Sequence, residues 1–135
     1  MDKQPDVKWI QVEFFSGYPF GHYRILFKPE ATIEYTGEGE LSVPLYGSYK
    51  WKASPRIYKN LAKILIDRRW ENETNPAGEG FEVCDGWTDT VSWSFNGEIH
   101  EYSVQIGVGP ESILKIIDRM HKLLKDEGRK ILYSN

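Results

Sequence analysis

Two alternating runs meet at Asn96-Gly97, and no other feature of the chain constrains its fold as strongly. Both central residues of a type I′ turn need positive φ, which Asn and Gly adopt with least strain, and that turn matches the twist of the strands it joins. A two-residue loop also fixes register, so Phe95 faces Glu98, Trp93 faces His100 and Val91 faces Tyr102. The sequence thus predicts a hairpin of Thr90–Phe95 and Glu98–Ile106, with Val91, Trp93, Phe95 and Tyr102 on its apolar face.

The first half of the chain follows the same grammar. Ile10, Val12 and Phe14 alternate with Gln11 and Glu13, and Tyr23, Ile25 and Phe27 alternate with Arg24 and Lys28. Ile33 and Tyr35 share one face, and Val43, Leu45, Tyr49 and Trp51 keep one phase through a segment bent at Gly47. A period of two is the signature of a half-buried strand. The turn-forming Ser16–Gly21, the Pro29-Glu30 reversal and the Gly37–Glu40 loop separate these runs.

The period changes to that of a helix at two places. Ser54-Pro55 offers a capping oxygen followed by a proline whose missing N–H is of no consequence in the first turn. Ile57, Leu61, Ile64 and Leu65 then form an apolar stripe, and the helix is expected to run out near Trp70. Gly109-Pro110 opens a second helix with Ile113, Ile116, Ile117, Met120, Leu123 and Leu124 facing inward, and Gly128 is its expected stop. The expected fold is one α+β domain over 1–135 with a mostly antiparallel sheet, order about ββββ-α-ββ-α, and two helices packed on one face. Residues 1–6 and 129–135 read as tails.

With 135 residues, 14% of them aromatic, the chain can bury a sizeable core without staples. A single cysteine, Cys84, makes neither an internal disulfide nor a cysteine-based zinc site. The first residues lack the basic start and apolar run of a secretory signal, and no run reaches the roughly 18 apolar residues of a membrane span. A cytoplasmic protein that does not enter the membrane is the expectation.

The run Gly17-Tyr18-Pro19-Phe20-Gly21-His22-Tyr23 leads into a strand, a turn and Ile33-Glu34-Tyr35-Thr36-Gly37, and the Asn96-Gly97 hairpin and Gly109-Pro110 helix follow. Together these are similar to a family of small bacterial domains of uncharacterised function. Members of that family open with a Gly-Cys-x-Gly-x-Cys-Pro-x-Tyr motif before an analogous strand pair. The resemblance spans residues 8–124 and implies the fold but no activity. Neither motif cysteine is present here, so no role of those cysteines carries over.

Charge is distributed unevenly. Between Trp70 and Leu114 there is no Lys or Arg, while nine of the 20 carboxylates fall in that span. A field of one sign attracts partners of the other and speeds their encounter. Within this span Cys84-Asp85-Gly86-Trp87-Thr88-Asp89 reads as an exposed turn, and a rigid aromatic flanked by carboxylates suits a binding anchor. Trp87 with Glu82, Asp85 and Asp89 is the expected partner-binding set, and a Trp87→Ala, Asp89→Lys double substitution is expected to abolish binding while leaving folding intact. The bland alternative is an acidic solvated face with Trp87 folded into the core. The first helix carries Arg56, Lys59, Lys63, Arg68 and Arg69, but a pI near 5.6 and the lack of any nucleic-acid motif argue against nucleic acid as partner.

No catalytic constellation emerges. Cys84 has Glu82 and Asp85 as its nearest charges, which raise rather than lower a thiol pKa. The sequence has no Gly-x-Ser-x-Gly, no phosphate loop and no calcium-loop spacing, and it implies neither metal nor cofactor. His121 reads as a surface residue on the last helix. His22, His100 and Tyr102 are the polar groups a pocket between sheet and helices would use, with His100 otherwise a packed imidazole against Trp93. The leading expectation is a small intracellular protein-binding module, of the bacterial or phage inhibitor or immunity-protein kind, that engages a basic partner. A ligand-binding or enzymatic domain and a structural or accessory subunit are the alternatives.

Overall fold

A computed structural model describes residues 7–17, 20–39, 47–67, 87–105 and 110–133. In chain order the elements are β1 (Val7–Gly17), β2 (Phe20–Phe27), β3 (Thr32–Gly39), β4 (Gly47–Lys52), α1 (Pro55–Asp67), β5 (Trp87–Phe95), β6 (Glu98–Gln105) and α2 (Glu111–Tyr133). The strands form one antiparallel sheet in the order β4-β3-β2-β1-β5-β6. Helix α1 lies over β1, α2 over β5, and the two helices touch each other on the same face. The α+β class and the element order are those the sequence predicts.

β1 is central, pairing with β2 on one side and β5 on the other, so its inward residues Ile10 and Val12 are fully buried. The register slips between Val7 and Ile10, leaving Lys8 and Trp9 together opposite the single residue Ser94 of β5. Such a bulge re-aims the chain, and here it returns Val7 to the core, opposite Phe95. The buried hydroxyl of Tyr58 on α1 donates to the Val7 carbonyl at 2.5 Å, tying the helix to the central strand where the pairing slips.

Register divides the sheet into two faces. Ile10, Val12 and Phe14, Tyr23, Ile25 and Phe27, Ile33 and Tyr35, and Val91 and Trp93 all point toward the helices. The other face carries Glu13, His22, Arg24, Glu34, Ser92, Glu101 and Ser103, and no described helix covers it. Tyr49 and Trp51 extend the core face onto β4 as expected. On α1 the Ser54 hydroxyl accepts from the Arg56 N–H at 3.2 Å, the predicted cap.

The turns behave according to their backbone chemistry. Asn96 and Gly97 have φ of 49° and 85°, as a type I′ turn requires, and the register through β6 is the predicted one. Between β2 and β3, Ala31 N–H donates to the Lys28 carbonyl at 2.9 Å, with Ala31 itself at φ 70°. That is a turn followed by a left-handed residue, a position usually given to glycine.

Two expectations change. α2 runs through Gly128 to Tyr133, so residues 129–133 are helix rather than tail. A glycine inside a helix is unfavourable by about 1 kcal/mol relative to alanine, and Ile131 continues the spacing set by Met120 and Leu124 past it. β5 begins at Trp87 rather than Thr90, which converts the expected turn at 87–89 into strand. Residues 1–6 lie outside the described residues.

Candidate functional site

Strand β5 carries Trp87, Asp89, Val91 and Trp93 on one phase, the phase that faces the helices. Trp87 pairs with Ser16 near the end of the sheet and remains 42% exposed. Two residues on, Asp89 is 3% exposed, closed over by α2. The expected partner-binding set is therefore broken: Trp87 is accessible, Asp89 is not, and Glu82 and Asp85 lie outside the described residues. An Asp89→Lys change would place an ammonium group in a closed site, so the double substitution expected to spare folding would not spare it.

What encloses Asp89 is a polar cluster that the sequence reading missed. Tyr23, Phe14 and Asp89 form one row across β2, β1 and β5, and Phe14 stacks on Tyr23 with centroids 4.9 Å apart. His121 of α2 sits over this row. Its Nε2 is 2.6 Å from the Tyr23 hydroxyl and 3.5 Å from Asp89 Oδ1, which has no hydrogen-bond partner among the described residues. His121 is thus a half-buried link between helix and sheet, not a surface residue. Burial pushes the Tyr23 hydroxyl pKa well above the ordinary tyrosine value, and the nearby Asp89 charge and Tyr35 add to it. The phenol keeps its proton, and the imidazole tautomer sets which partner donates in its 2.6 Å bond to Nε2.

This trio is not a hydrolase-type relay. There the carboxylate orients the imidazole through one ring nitrogen while the other nitrogen works on the nucleophile. Here both oxygens converge on the same nitrogen. The geometry fastens α2 to the sheet and leaves no ring nitrogen set between a carboxylate and a nucleophile.

His22 lies on the opposite face. Its Nε2 is 2.8 Å from Glu13 Oε2 and its Nδ1 is 3.4 Å from Glu38 Oε1, with Arg24 Nε 3.8 Å from Glu13. Phe15, 49% exposed, sets its edge against the imidazole. His100 faces the helices on β6, stacked on Trp93 at 5.7 Å with the rings 13° apart. Its Nε2 is 3.8 Å from Glu98 and has no hydrogen-bond partner among the described residues. Tyr102 is on the same side as His100. The sheet separates His22 from His100 and Tyr102, so these three residues do not line one pocket. The stack on Trp93 matches the packing of a structural imidazole at His100, but the neighbour expected to satisfy its ring nitrogen is not found among the described residues.

Recesses elsewhere among the described residues include two of similar size. One of about 360 Å³ lies beside the β1 bulge on the face that no described helix covers, between Trp9, Gln11, Leu26 and Lys28. The other, about 390 Å³, lies between the helices and is rimmed by Ile57, Asn60, Arg119, Lys122, Leu123 and Asp126. No residue of either expected set lines them. Among the described residues no group of three His, Cys, Asp or Glu side chains can hold a metal ion, and no helix is long and apolar enough to cross a membrane.

The accessible features concentrate on the β5–β6 hairpin. Ile99 is 73% exposed with exposed Glu101 beside it on one face, the Glu98 side chain is 81% exposed on the other, and Trp87, 42% exposed, lies on the helix face at the far end of β5. The hairpin contains no Lys or Arg. Ile99 went unread as a surface residue although the Asn-Gly register already placed it opposite Ser94, on the face away from Trp93. The alternation of β1 likewise puts Phe15 on the polar face. Beyond the fold itself, the chain matches no protein-family model, and no curated protein is similar to it in sequence.

Proposed function

We propose that this chain is a protein-binding module that engages a basic partner through the β5–β6 hairpin. The observation that carries the reading is exposed Ile99 with Glu101 beside it and Glu98 next to the turn, on a hairpin free of Lys and Arg whose far end presents Trp87 on the other face. Large rigid side chains that bury well are the residues on which interface energy concentrates. Single-sign charge around them speeds encounter with a partner of opposite sign and rejects the wrong one. Binding of this kind needs no catalytic group, and it is the work of small inhibitor and immunity proteins, in keeping with an intracellular role.

Glu98 and Glu101 replace Asp89 in the acidic set, because Asp89 is committed to the contact beneath α2. The pocket alternative loses its support with the separation of His22 from His100 and Tyr102. The test is affinity capture from native-source lysate with tagged wild-type protein and its Trp87→Ala variant, at low and high salt. A basic protein retained by wild type, weakened by salt and lost with Trp87→Ala is the expected result. Identical retention by both folded proteins would count against the reading.

A further inference from the structure

β6 is an outermost strand, and the Asn96-Gly97 turn determines which of its backbone groups face outward. In a two-residue hairpin the residues flanking the turn exchange both backbone bonds, and every second pair after them does the same. Those pairs are Phe95 with Glu98, Trp93 with His100, Val91 with Tyr102 and Asp89 with Val104. The N–H and C=O groups of Ile99, Glu101 and Ser103 therefore point away from β5. Among the described residues no strand pairs with them.

Sheet edges in soluble proteins are normally blunted by lysine, proline, a bulge or brevity. β4, the other edge, follows that rule with exposed Lys50 and Lys52 in a six-residue strand. β6 does not. It spans eight residues without Lys or Pro, pairs with β5 without a register slip, and carries Ile99 at 73% exposure. Its charges are carboxylates on both faces: Glu101 beside Ile99 on the side away from the helices, and Glu98 on the helix side.

We propose that β6 is a docking edge for an extended basic segment of another protein, which adds to the sheet as a seventh strand. Main-chain bonds form with Ile99, Glu101 and Ser103, as in other cases of strand addition. An apolar side chain of the incoming strand covers Ile99, and Lys or Arg side chains lie beside Glu101 and Glu98. A second copy of this chain is the poorer occupant. Two-fold pairing of β6 with itself gathers four carboxylates from two strands that hold no Lys or Arg, which is unfavourable. Pairing of β6 with a neighbour's β4 is favoured by charge but leaves a free edge at each end and so grows without closing.

The inference rests on the protein-binding reading, and a defined probe separates the two. Isotope-labelled protein is titrated with the acetylated, amidated peptide Thr-Thr-Thr-Lys-Thr-Val-Lys-Thr, which in antiparallel register sets Val over Ile99 with one Lys beside Glu101 on that face and the other beside Glu98, and amide hydrogen exchange is followed residue by residue. The expected result is at least tenfold slower exchange at Ile99, Glu101 and Ser103, with little change at His100 and Tyr102, whose amides already bond to β5. Glu101→Pro removes one outward N–H without touching the β5 ladder, a position where an edge proline is tolerated. It should weaken peptide binding at least tenfold, while Glu101→Gln, which keeps the N–H, weakens it less and lowers its salt dependence. Both variants are checked for native amide dispersion, and Ser103→Pro takes the place of Glu101→Pro should the latter not fold. Binding that leaves the three edge amides unprotected, or that the proline variant does not affect, would overturn the edge assignment while leaving the protein-binding reading in place. Absence of peptide binding at millimolar concentration, or concentration-dependent protection of β6 without peptide alongside a rising mass in light scattering, would overturn it too.

Discussion

Tyr23 ties the stability of the fold to alkaline pH. Its hydroxyl is enclosed by burial, by the Asp89 carboxylate and by Tyr35, all of which hold its pKa above the ordinary value of 10.0. In the unfolded chain the phenol ionises near that value, so above it the unfolded state releases a proton that the native state retains. The stabilisation is complete below about pH 10 and is lost as pH rises beyond it, at about 1.4 kcal/mol per pH unit. Tyr23→Phe removes this dependence. At pH 8 the variant forfeits the 2.6 Å hydrogen bond to His121, a loss of about 1 kcal/mol. By pH 11 the wild type has lost about 1.4 kcal/mol through this one group. The two stability curves should therefore cross between about pH 10.5 and 11, with the variant the more stable above. Urea unfolding at half-unit steps from pH 8 to 11.5 measures this directly. Burial is the leading cause of the shift, so Asp89→Asn should leave most of the effect in place. Parallel curves for wild type and Tyr23→Phe would refute the assignment of a buried, protonated phenol.

Other consequences follow from the same geometry. Gly97→Ala places a side chain at φ +85° where no atom lies within 4 Å, so its cost is backbone strain alone. Thermal or urea unfolding should register about 1–2 kcal/mol, and the β5–β6 register should survive in its NMR contacts. Ser54→Ala removes the α1 cap and should lower stability by about 1 kcal/mol, read in the same assay. Asp89→Lys, by contrast, should destabilise by about 3 kcal/mol or more, because it buries a charge with no carboxylate beside it. A well-folded Asp89→Lys protein of near-normal stability would show that α2 does not close over that position.

Much of this fold is legible in the sequence because its signals are local. Asn96-Gly97 specifies a turn, the turn specifies register, and register assigns each side chain of β5 and β6 to a face. Ser54-Pro55 marks a helix start for an equally local reason. The position of β1 at the centre is not local. Alternation shows that Ile10 and Val12 face a core, but not that the strand pairing with β1 on its second side begins at Trp87. The candidate site suffered most where local signals compete. Asp85-Gly86-Trp87-Thr88-Asp89 has turn composition, yet Trp87 and Asp89 are in phase with Val91 and Trp93, and the strand period prevails. Once β5 is extended to Trp87, Asp89 belongs to the helix face and needs a polar neighbour there. His121 supplies one from a helix that no sequence spacing connects to it. The misplacement of His22 beside His100 has a simpler origin: it lies out of phase with Tyr23, Ile25 and Phe27, which already places it on the other side of the sheet.

The most direct test of the proposed function is the affinity of the captured partner for wild-type protein and for a Glu98→Lys, Glu101→Lys variant, each at two salt concentrations. Both glutamates are exposed and neither supports the core, so the variant should fold with unchanged stability to within about 0.5 kcal/mol. Its affinity should fall by about a hundredfold, with most of the salt dependence lost alongside it. A folded variant that binds its partner as tightly as wild type, with the same salt dependence, would contradict the claim that this hairpin is the binding surface.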